Sequence, residues 1–200
     1  MLIRPAPVSG YKGSRSPGLP EFDPFWERVV EAGVLVAMHA SDSGYSRYKN
    51  DWTGAGEYLP FVLDPFQLMM DKERPITDTM TALTCHGLFS RFPDLRVISV
   101  ENGAEWVAPF IKNLKSGCKK MPQAFAENPI DAFRRCVSVC PFHEDDFDEL
   151  QTLLGIDNLC FGSDYPHPEA LPSHDPSPTN YLSRGHCRIG PPSWAATSVD

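Results

Sequence analysis

Positive charge is scarce in this sequence: 18 Lys and Arg face 26 Asp and Glu, giving a net charge of -8. With no basic stripe left over to neutralise phosphates, nucleic acid and anionic membranes are not expected partners. Long hydrophobic runs are lacking too. The longest uncharged apolar run, residues 32–40, falls far short of the roughly 20 residues that span a bilayer. No basic stretch leads into an apolar one at the start, because Leu2 and Ile3 meet Arg4, Pro5 and Pro7 at once. The expectation is therefore no secretory leader and a cytoplasmic location. A CxxC pair is also absent among Cys85, Cys118, Cys136, Cys140, Cys160 and Cys187. Reduced thiols buried as small hydrophobes are expected, rather than a cysteine zinc site or disulfides.

What is present suffices for a packed core. Hydrophobic residues make up 42% and charged residues 22% of the chain, which fits a globular domain. Residues 22–33 read as a helix: Asp23 can cap it, Pro24 suits the first turn, and Phe25, Trp26, Val29 and Val30 share a face. Residues 34–38 form a continuous apolar run, the signature of a parallel strand buried on both faces. A long loop over residues 40–74 follows, with a small helix within residues 58–70. The periodicity predicts a helix over 77–92, a strand over 95–100 and a helix over 106–114. A short strand over 136–140 precedes a helix that begins with Glu144, Asp145 and Asp146, buries Phe147, Leu150, Leu153 and Leu154, and ends at Gly155. Residues 159–163 are the last strand, and residues 2–4 are a candidate for one more.

Alternating strands and helices indicate parallel βαβ units, an α/β fold. The expected domain covers residues 1–171. Residues 172–200 hold five Pro and five Ser with no useful apolar period, so an aberrant or disordered tail is expected there.

In parallel α/β folds the reacting groups gather at the C-terminal ends of strands. Four polar clusters occupy such ends: His39, then Glu101-Asn102, then Pro141-Phe142-His143, then Asp164. Imidazole and carboxylate donors suit a zinc-type ion that keeps one position open. Each residue also has a plainer reading. His39 could be a hydrogen-bonded core histidine, Asp164 could cap a turn before Tyr165-Pro166, and His167 and Glu105 could be loop residues without a role. His86 reads as structural, and His174 and His186 fall in the tail.

The segment Phe161-Gly162-Ser163-Asp164-Tyr165-Pro166-His167 resembles the last-strand motif of the amidohydrolase-related superfamily, whose Asp is a metal ligand and often a proton carrier. Phe92-Pro93-Asp94-Leu95-Arg96-Val97 followed by Glu101-Asn102-Gly103-Ala104-Glu105-Trp106 resembles its sixth strand and next helix. Val36-Ala37-Met38-His39 resembles its fifth strand, which ends in another metal ligand. These matches, over residues 2–170, are similar to the branch holding aminocarboxymuconate semialdehyde decarboxylase. The resemblance implies the C-terminal part of a metal-dependent (β/α)8 barrel, incomplete here. It implies a decarboxylase or hydrolase acting on a small carboxylated or aromatic molecule. The cofactor would be a divalent metal, zinc by first choice, held by His39 and Asp164. Glu101 and Asp164 would be catalytic, His167 and Glu105 would bind substrate, and self-association is left open. Two departures stand out. Glu101 occupies the place where the family commonly has a His acting as acid or base, and the His-x-His of the family's first strand is absent from all 200 residues. A non-catalytic fragment or half-barrel is the alternative.

Overall fold

The computed structural model describes residues 1–54, 65–71 and 73–162. Six strands occur among them: β1 (Leu2–Ile3), β2 (Val8–Gly10), β3 (Gly13–Arg15), β4 (Val36–His39), β5 (Val97–Val100) and β6 (Val137–Val139). The helices are α1 (Asp23–Glu31), α2 (Ser46–Thr53), α3 (Pro65–Asp71), α4 (Arg74–Cys85), α5 (Leu88–Arg91), α6 (Val107–Lys120), α7 (Pro129–Cys136) and α8 (Phe147–Leu154). Strands β1, β4, β5 and β6 form one parallel sheet in that spatial order, and β2 and β3 form a separate antiparallel ribbon. A parallel bridge from Val139 to Leu159 carries the sheet one step further.

Side chains alternate across a strand, and burial follows that period. Val36 and Met38 of β4, Val97 and Ser99 of β5, and Val137 and Val139 of β6 are buried, and their apolar members join the core with residues of α1, α4, α5, α6, α7 and α8. Ala37, His39, Ile98, Val100 and Ser138 lie on the other face and are only half-buried. This one-sided cover is what part of a (β/α)8 barrel presents when the sheet does not close, and it does not close among the described residues. An aromatic cluster anchors the helical layer: the tilted rings of Phe110 and Phe133 have centroids 4.8 Å apart, Trp106 packs against both, and Phe89 meets Phe133 edge-on. Each such ring, fully buried, contributes roughly 1.5–3 kcal/mol.

Several expectations from sequence are corrected. Strand β4 starts two residues later than the apolar run, because the Val34 N–H donates to Val29 O and so closes α1. Asp23 does not cap α1; its carboxylate takes the Arg91 guanidinium through both oxygens at 2.9 Å. The helix expected over 77–92 is two helices, since Gly87 at φ 74° turns the chain between α4 and α5. His86 therefore follows α4 instead of lying mid-helix, and its Nδ1 meets Ser16 Oγ at 2.8 Å, a structural contact. Helices α2 and α7 have no counterpart among the expected elements, and Cys136 ends α7 rather than opening β6. Among the described cysteines, none of them in a disulfide, Cys136 alone is buried, and burial pushes its thiol up to about 11. Of the strand expected over 159–163, residues 159–162 form only the single parallel bridge at Leu159. Residue 163, residues 58–64 of the helix expected within 58–70 and the whole tail over 172–200 lie outside the described residues.

Candidate active site at the strand ends

The C-terminal ends of β4 and β5 lie side by side. His39 is the register partner of Val100, and the Ala40 N–H donates to Val100 O at 3.2 Å, so Glu101 leaves β5 next to His39. The two side chains meet: His39 Nε2 lies 2.8 Å from Glu101 Oε2. His39 Nδ1 lies 2.7 Å from Ala40 O. Carbonyl and carboxylate oxygens only accept, so Nδ1 carries a proton for Ala40 O and a second proton lies between Nε2 and the Glu101 carboxylate.

Stability does not account for this pair. The side chains keep 39% and 26% of their exposure, and ion pairs this open are worth about 0–1 kcal/mol. Glu101 meanwhile has φ 57°, the one non-glycine residue with positive φ among those described. A left-handed conformation costs an L-residue about 1–2 kcal/mol. The cost matches or exceeds the gain, and backbone strain of this kind collects at functional sites.

The turn after β5 is held by residues whose role the sequence did not reveal. Asn102, buried, donates through Nδ2 to Met38 O at 3.0 Å and Val100 O at 2.7 Å. Gly103 has φ 61°, and an added Cβ would lie 2.9 Å from the Phe142 ring. Asp145, expected only as a helix-start acid, turns inward instead: its Oδ2 accepts the N–H of Ala104 at 3.0 Å and of Phe142 at 2.6 Å, joining the loops after β5 and β6. Burial pushes its carboxyl above the ordinary range, against the two N–H bonds that lower it. Asp146 takes the capping role, accepting from Glu149 N at 3.0 Å. An inward carboxylate facing a Gly–Ala turn from a distant loop leaves no trace in local spacing.

The other expected site residues are placed as follows. Glu105 is exposed just before α6, and its charge acts on Asp145. His143 is half-exposed and pairs with Glu144 at 3.1 Å. Asp164 and His167 lie outside the described residues. Among the described residues no three His, Cys, Asp or Glu side chains gather as a metal site. The His39 and Glu101 pair nonetheless fits part of one. Imidazole nitrogen beside carboxylate oxygen suits a divalent transition ion, and the Nδ1–H held by a carbonyl leaves Nε2, once the proton shared with Glu101 has gone, as the nitrogen that would take the ion.

Residues 8–178 match the family model described as amidohydrolase. No curated protein matches the chain. Among solved structures, an amidohydrolase from Mycobacterium avium subsp. paratuberculosis K-10 is 41% identical with a TM-score of 0.80, over 92% of this chain and 44% of that one. A 2,6-dihydroxybenzoate decarboxylase complexed with 2,6-dihydroxybenzoate is 17% identical with a TM-score of 0.55, over 82% of this chain and 51% of that one. A dihydroxybenzoic acid decarboxylase from Polaromonas sp. JS666, with bound manganese and the inhibitor 2-nitroresorcinol, is 17% identical with a TM-score of 0.57, over 86% of this chain and 51% of that one. The last two likenesses concern the fold alone, and this chain spans about half the length of each of the three structures. With the family model covering most of its residues, the chain belongs to the amidohydrolase family.

Proposed function

We propose that this chain contributes the later-strand half of a metal-dependent decarboxylase or hydrolase acting on a small carboxylated or aromatic substrate. The observation that carries this reading is the His39 and Glu101 pair, 2.8 Å apart at adjoining strand ends, with Glu101 held at positive φ. His39 and Asp164 would hold a divalent metal, zinc by first choice. Bound there, the ion supplies Lewis acidity toward a substrate oxygen. Glu101 is placed to take or return a proton beside His39, and its partial exposure leaves it open to substrate or water. Asp164 is the second proton carrier, and His167 and Glu105 contact the substrate. The bound 2,6-dihydroxybenzoate and 2-nitroresorcinol of the two decarboxylase structures support an aromatic substrate, and the manganese of one of them supports a divalent ion.

The test supplies the chain with a polypeptide carrying the family's first-strand His-x-His, fused or separate, and measures metal per chain and decarboxylase and hydrolase turnover. Activity should appear on completion and fall about 10²- to 10⁴-fold in Glu101→Gln, as removal of an acid-base group does. A loss below about threefold would remove Glu101 from the chemistry on that scale. A second reading is a non-catalytic half-barrel, because no His-x-His occurs in the 200 residues to complete a ligand set. Completed material that stays inactive and metal-free would support it.

A further inference from the structure

Resting on that reading of the His39 and Glu101 pair, the geometry points to Asn102 as the positioning residue that sets the pair. Its amide nitrogen donates to Met38 O at 3.0 Å and to Val100 O at 2.7 Å. Both acceptors are carbonyl oxygens, so the amide must face them with its NH2 group, one hydrogen for each. Met38 and Val100 are the residues immediately before His39 and Glu101. One side chain thus ties together the two backbone units from which the paired groups emerge, on neighbouring strands.

The clamp also acts along its own strand. Its reach from residue 102 back to Val100 O folds the chain over Glu101, and Glu101 is the residue driven to φ 57°. Asn102 is buried at 7% exposure, out of reach of a direct chemical role, while His39 and Glu101 remain open. Two hydrogen bonds inside a buried setting fix the spacing of two groups in a solvent-facing one. Misplacing a reacting group by about 1 Å can cost about 10²-fold in rate, so a device that fixes this spacing bears on turnover more than on binding.

The experiment uses the full chain labelled with ¹⁵N-histidine, with the His39 ring signals assigned by their loss in His39→Gln. Glu101→Gln should move the His39 Nε2 signal by removing the carboxylate partner. Asn102→Ala, and Asn102→Asp, which keeps the shape but loses the donor, should move it in the same direction while circular dichroism stays native. In the completed enzyme both Asn102 variants should lower kcat by about 10- to 100-fold and leave KM within about threefold. If Glu101→Gln moves the His39 signal and neither Asn102 variant does, the positioning role is overturned while the pair survives. If Glu101→Gln leaves His39 unchanged, the pair itself is absent and the functional reading falls first. Loss of folding in both Asn102 variants would assign Asn102 to sheet stability and overturn the proposal as well.

Discussion

Replacing Asp145 by Asn and by Ala separates the bonds this side chain makes from the charge it carries. One oxygen, Oδ2, accepts both the Ala104 and Phe142 N–H groups. In Asp145→Asn the single carbonyl oxygen can keep both bonds while the charge is lost. The carboxyl is raised above its ordinary value of 3.8, with burial as the largest cause, so burial outweighs the two bonds that favour ionisation. Because the folded value lies above the unfolded one, the folded chain holds this proton more tightly. The stability it confers is fully present below pH 3.8 and is lost as pH rises through the folded value. Asp145→Asn should therefore be at least as stable as wild type at pH 7, and its advantage should shrink toward pH 4. Asp145→Ala instead strands two N–H groups at about 1–3 kcal/mol each, for a loss of roughly 2–6 kcal/mol, a large part of a typical domain's 5–15 kcal/mol. Urea unfolding of the three proteins at both pH values is the assay. An Asn variant that loses as much as the Ala variant at pH 7 would refute the reasoning, since the charge would then be a net stabiliser.

Gly103→Ala should cost about 2–5 kcal/mol in thermal unfolding, adding roughly 1–2 for positive φ to roughly 1–3 for the clash with Phe142; adding Phe142→Ala should restore only the clash share. Arg91→Met should cost about 2–3 kcal/mol in urea, because Arg91 meets the Asp23 carboxylate, His86 O and Gly18 O together and hydrogen bonds to charged groups are worth about 1.5–3 kcal/mol; a change under about 0.5 kcal/mol, the level of an ordinary surface substitution, would show the hub to be ornamental. His39→Ala should weaken zinc binding measured by calorimetry, and an unchanged affinity would remove His39 from the metal site.

The alternation of apolar runs with helical periods was enough to indicate a parallel α/β fold, because apolar runs and helical periods are both local features of a sequence. That is why the runs now seen as β4, β5 and β6 were legible, with ends displaced by one or two residues where a helix cap or an α7 turn took the boundary. The strand ends were legible for the same reason, and they brought His39 and Glu101 forward as candidates. Their pairing was not, since it depends on the register of two strands far apart in sequence. Asn102 and Asp145 show the limit most clearly. Locally, one follows a strand and the other stands in an acidic cluster before a helix, and neither pattern indicates burial. Only the tertiary structure turns Asn102 onto two strand carbonyls and Asp145 onto two N–H groups, because a buried backbone group takes whichever partner the packing brings within hydrogen-bond reach.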